Sequence, residues 1–151
     1  MQRTGRRLYS NERGQALIET ALTLPLVLLV AVGIFEFGRA YQTWQVLTNA
    51  AREGARVAIL PNATVADAQS RVVAYMQGGQ LGNYLNATVS VNQNTPLVVG
   101  ASTEVASVVT VSYPFSFIML NPVANLALNG TTSLGTPLTI TAYAEMRNEA
   151  Q

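Results

Sequence analysis

The chain has 151 residues, 49% hydrophobic and 11% charged, with a net charge of +1. That length holds one modest domain plus an anchor, and so even a charge balance implies no nucleic-acid partner. There is no Cys and no His, which excludes disulfides, thiolate metal sites, a Cys nucleophile and the commonest general base.

Charge is concentrated at the N-terminus. Residues 1–14 carry four Arg (Arg3, Arg6, Arg7, Arg13) against Glu12, a net of +3, whereas residues 15–151 carry five Arg and seven acids, a net of −2. The positive-inside rule keeps such a leader in the cytoplasm and puts the rest across the membrane. Residues 1–14 therefore read as a basic cytoplasmic leader, 15–36 as a transmembrane helix and 37–151 as an extracytoplasmic domain.

The apolar run Ala16–Phe35 is about 20 residues, ~30 Å as a helix, which matches the hydrocarbon thickness of a bilayer. Pro25 lies inside it, and membrane helices tolerate proline. One acid, Glu19, interrupts it. A carboxylate costs about 2.5–3.5 kcal/mol at mid-membrane and less near an end. Either Glu19 snorkels to the cytoplasmic headgroups or another group neutralises it at depth. Ala31-Val32-Gly33 is a passable signal-peptidase site, so a secreted domain without a span is a third reading. Against it, the helical pattern runs on past Phe35.

That continuation spans residues 37–60. Phe37, Tyr41, Trp44 and Leu47 recur at the spacing of one helix face, with the small residues Ala51, Gly54, Ala55 and Ala58 on the same side. We expect this stripe to pack on the distal domain or on other subunits. Tyr41 and Trp44 also suit the outer membrane interface. Pro61 ends the pattern.

Thr64-Val65-Ala66-Asp67 resembles a capping box and predicts a helix over Val65–Gln77, with Val65, Ala68, Val72 and Tyr75/Met76 on one side, stopped by Gly78-Gly79. The period then changes to two. Ala87–Asn92 alternates, with Val89 and Val91 on one side. In Glu104–Tyr113, Val109, Val111 and Tyr113 lie on one face and Val108 and Thr110 on the other, which marks a central strand. Leu138–Met146 puts Leu138, Ile140, Ala142 and Ala144 on one side. Asn94-Thr95-Pro96 and Asn129-Gly130-Thr131 supply turn chemistry. The fold class is α+β: a long N-terminal transmembrane helix continues into an amphipathic helix packed on a small antiparallel sheet. Phe115–Leu120 is a second apolar patch, too short to span a membrane. It either folds back over the sheet or contacts a partner or membrane surface.

Catalytic constellations are missing. Outside the span, Glu36, Glu53, Asp67, Glu104, Glu145 and Glu149 are scattered without metal-ligand spacing, although Glu104 and Glu145 can be neighbours across two strands. No phosphate-binding loop occurs. We expect no enzyme activity, no cofactor and no metal.

The leader ending in Gly14, then Gln15-Ala16-Leu17-Ile18-Glu19 and an apolar helix, resembles a type IV pilin signal. Residues Glu12–Glu19, Leu24-Pro25-Leu26, Gly33–Arg39 and Leu47–Arg56 more closely resemble the TadE-like family, pseudopilins of the tight-adherence (Flp) pilus machinery. Ala144-Glu145-Met146-Arg147 is similar to the end of such proteins. The resemblance implies a pilin-like fold. It implies prepilin peptidase cleavage of the Gly14/Gln15 bond, and Glu19, fifth residue of the mature chain, pairing with a neighbour's terminal amine. It implies pilin or pseudopilin subunits and inner-membrane platform proteins as partners, and a single-pass place in the bacterial cytoplasmic membrane or a pilus. Thr20 departs from the pattern, since TadE-type sites commonly place an aromatic residue there. The other class of reading is an uncleaved single-span anchor whose distal domain binds an envelope partner or ligand.

Overall fold

A computed structural model describes residues 12–100, 102–120, 122 and 137–148. The chain divides into two compact units, Met1–Phe35 and Glu36–Gln151. The leader up to Asn11, the Asn129-Gly130-Thr131 turn and Glu149 lie outside the described residues.

The first unit is the opening part of helix α1 (Glu12–Ala58). Every side chain from Gln15 to Ala31 is exposed, so none of the Leu and Val in that stretch is buried. α1 is long and apolar enough to cross a membrane once. The hydroxyls are satisfied within the helix: Thr20 Oγ1 donates to Ala16 O at 2.8 Å and Thr23 Oγ1 to Glu19 O at 2.9 Å. Such back-bonding suits a solvent that offers no hydrogen-bond partners. Pro25 stands inside the helix and removes one N–H from its ladder.

The second unit is built from the remainder of α1, helix α2 (Val65–Gly78) and strands β1 (Thr88–Val99), β2 (Ser102–Phe115) and β3 (Leu138–Arg147). A short 3-10 turn (Tyr84–Asn86) precedes β1. The strands form one antiparallel sheet in the order β1-β2-β3, with Val91 opposite Val109 and Ala144 opposite Val109 from the other side. β2 is central, as its Val content predicts. Val109, Val111, Tyr113 and Phe115 point into the core beside Ala142 and Ala144 of β3. The opposite face is mixed: Thr110 and Ser112 are half-buried and Tyr143 is exposed. One covered and one open face is the usual state of a small antiparallel sheet.

α2 follows its sequence signals closely. Thr64 is the N-cap, and the box closes both ways: Asp67 N donates to Thr64 Oγ1 and Thr64 N donates to Asp67 Oδ2. The Thr64 hydroxyl, then its N–H, hold the Asp67 carboxyl below its ordinary value. Ala68, Val72 and Met76 are buried, whereas Val65 is exposed. The stop works differently from the expected glycine break. Gly79 has φ −77° and the left-handed residue is Gln80, at φ +57°. Gly79 serves close approach instead, since a Cβ there would lie 2.6 Å from Val46 Cγ1 of α1.

Two expectations need correcting. The expected stripe on α1 is buried only in its later part. Glu36, Thr43, Leu47, Ala50, Ala51, Gly54, Ala55 and Ala58 are buried, while Phe37, Tyr41 and Trp44 are 69%, 60% and 45% exposed. Small side chains let the helix axis approach α2 and the sheet, as at Gly54 beside Val72 and Val109, whereas the large rings stand earlier on the helix. Of the expected stripe, Leu47, Ala51, Gly54, Ala55 and Ala58 are buried and the three aromatic residues are not.

Asn94-Thr95-Pro96 is also not a turn. β1 runs through it with a bulge between Asn92 and Thr95. Pro96 is tolerated because β1 is an edge strand. The chain reverses after Val99, where Gly100 adopts φ +64°, a conformation that favours glycine. The bulge has a structural use. It aims Gln93 Nε2 at Ala58 O and Ala63 O, both at 3.0 Å, so a side chain caps the carbonyl end of α1. Ser107 Oγ lies 3.3 Å from the same Ala58 O and 2.7 Å from Asn148 Oδ1, and Asn148 Nδ2 donates to Gln93 O at 3.0 Å.

Candidate functional site

Gly14, Gln15 and Glu19 all lie on the first turns of α1. Gly14 is half-exposed, and Gln15 and Glu19 are exposed. Gln15 and Glu19 are four residues apart, so they share a helix face one turn from each other. The Glu19 carboxylate makes no hydrogen bond or ion pair among the described residues; only its backbone O is engaged, by Thr23. The Gly14-Gln15 bond falls in the first turn, whose N–H groups have no intrahelical acceptors, so opening that turn sacrifices few hydrogen bonds.

Sequence reasoning passed over a second acid. Glu36 opens the second unit and is fully buried. Its Oε1 accepts the backbone N–H of Ile118 at 2.8 Å and that of Met119, and its Oε2 accepts Arg39 Nη1 at 2.7 Å. Arg39 in turn lies over the Phe115 ring, 5.2 Å from its centroid, and Phe115 meets Phe117 edge to face at 5.4 Å. Helix spacing presents Arg39 at i+3, and the end of β2 delivers Phe115 and the following loop. A buried carboxylate is tolerable only with its lone pairs filled and its charge matched, and here two backbone N–H groups and one guanidinium do both. The arrangement ties the 117–119 loop to α1. It offers no free base, because both oxygens are already engaged. A signal was present in the sequence: an acid flanked by Phe35 and Phe37 with Arg at i+3.

The folded-back reading of Phe115–Leu120 holds for its first part. Phe115 is buried and Phe117 half-buried, whereas Ile118 and Met119 stay exposed. Among the described residues the remaining acids do not converge. Glu104 stands opposite Leu97, and Glu145 opposite Val108, so four residues of β2 separate their registers. Glu53 joins α1 to α2 through Arg71 at 2.9 Å, with Arg56 at 3.2 Å. Such solvent-screened pairs contribute little to stability. An open cleft of about 360 Å³ beside Arg39, Thr43 and Tyr113 contains no acid. No cluster of three or more potential metal-ligating groups occurs among the described residues.

Residues 14–56 match the family model described as TadE-like protein. The match holds Gly14, Gln15, Glu19, Glu36 and Arg39 and ends before α2 and the sheet. No curated protein and no solved structure matches the chain.

Proposed function

We propose, from a chain that is TadE-like over residues 14–56, that this protein is a non-catalytic minor pseudopilin: a structural or assembly component of a tight-adherence pilus or a related secretion apparatus. The family match carries the reading, because it falls on the stretch containing both the processing motif and the apolar helix. The chain inserts with its N-terminus in the cytoplasm and its second unit outside. Prepilin peptidase cuts between Gly14 and Gln15 and removes the net +3 leader. The new ammonium on Gln15 and the Glu19 carboxylate then sit one turn apart. In a bundle of such helices, the ammonium of one subunit neutralises the Glu19 of another. The pairing removes the main penalty for packing an acid among apolar helices. Pilin-type subunits, the peptidase and inner-membrane platform proteins are the partners.

Glu19→Ala tests the pairing. Membrane insertion should be unchanged, since the substitution makes the span more apolar. Co-purification with partner pilins should fall steeply, because removing one member of a buried pair costs about 3–5 kcal/mol, roughly a hundredfold or more in association. Normal assembly in that variant would take Glu19 out of the account.

A further inference from the structure

The 117–119 loop splits its apolar residues. Phe117 turns inwards, while Ile118 and Met119 are 58% and 46% exposed. Their exposure is not that of a loose loop, because both of their N–H groups are bound by the buried Glu36 carboxylate. Two large apolar side chains held outwards by a desolvated charge call for an apolar cover.

We infer that Ile118 and Met119 sit in the headgroup–acyl boundary of a phospholipid bilayer, where the chain leaves it, and that Glu36 is the latch that holds them there. Continuity argues for lipid. Glu36 is peptide-bonded to Phe35, the last residue of the apolar unit, so whatever its carboxylate binds lies within a side chain's reach of that exit point. Each polar layer of a bilayer is about 5–7 Å thick, a span covered by that reach. Phe37, next in the chain, and Tyr41, about one turn on, are 69% and 60% exposed, and aromatic rings favour this layer. The charged group facing the carboxylate is Arg39, already paired with it, so no uncompensated acid opposes the lipid. The inference rests on the membrane-spanning part of the reading above and not on the pilus assignment.

The chain lacks Cys, so a single introduced thiol can carry a fluorescent label. Ile118→Cys, Val27→Cys in the span and Val98→Cys, exposed on β1, would each be labelled in the full chain. Each would be reconstituted in phosphatidylcholine vesicles containing a nitroxide lipid. The labels at 27 and 118 should be quenched several-fold more than the label at 98. Adding Glu36→Ala, which removes the acceptor of both N–H groups, should move the label at 118 towards the value at 98. Quenching at 27 but not at 118 would overturn the inference and leave the span intact. No quenching at 27 would overturn the membrane reading and the inference with it. Shielding of 118 from aqueous iodide that is lost on diluting the protein at fixed lipid would assign the patch to a second copy and overturn the lipid assignment. If Glu36→Ala fails to fold, the label at 118 in the otherwise native chain decides alone.

Discussion

Glu36→Ala should lower the stability of the second unit by about 2–4 kcal/mol, a loss between that of a fully buried pair and that of an exposed one. Two effects add. The backbone N–H groups of Ile118 and Met119 lose their acceptor, at about 1–3 kcal/mol for each that water cannot reach. Arg39 loses its partner, but its side chain is 29% exposed and recovers part of its solvation. The melting temperature of the full chain in detergent should fall on the order of 10 °C. Glu36→Gln retains an acceptor oxygen and should cost clearly less. Equal losses for the two variants would mean that the charge, and not the hydrogen bonding, holds the loop.

Gly54→Leu should be at least as damaging. A Cβ at Gly54 would lie 2.4 Å from Val72 Cγ2 and 3.3 Å from Val109 Cγ1, so α1 meets α2 and β2 there with no room for a side chain. Overpacking of a core costs about 1–3 kcal/mol even for a few methylenes, and leucine adds a whole branched side chain. Gly54→Ala is the finer test. Helix propensity favours it by about 1 kcal/mol, and the clash with Val72 outweighs that gain. Combining it with Val72→Ala should recover stability, giving an interaction energy of about 1–2 kcal/mol in chemical denaturation. Strict additivity would show that the close approach at Gly54 is not what positions α2.

The sequence signals that proved legible are those set by local chemistry. The Thr64 box fixed where α2 starts, the alternation of Val109, Val111 and Tyr113 oriented β2, and the absence of charged groups between Glu19 and Glu36 marked the apolar helix. Signals that depend on a distant partner were misread or missed. Phe37, Tyr41 and Trp44 carry the larger hydrophobic surface, yet the helix buries the small residues further along, where α2 and the sheet come near. Asn94-Thr95-Pro96 has turn composition, but Gln93 is drawn to the carbonyl end of α1, 35 residues away, and the strand bulges without turning. Glu36 was one of several scattered acids until the 117–119 loop, 82 residues on, supplied the donors that make its burial possible. At the candidate site, Gly14, Gln15 and Glu19 could be named from their order alone, because their proposed roles need only helix spacing and an apolar surrounding.

The central claim is that this chain is cut after Gly14 and assembles through its new N-terminus. The most direct measurement is intact mass with N-terminal peptide mapping of the protein from a host that carries a prepilin peptidase, beside the same host lacking it. The account predicts a mature chain that begins at Gln15 only when the peptidase is present. A chain that still carries residues before Gly14 in both hosts would contradict it.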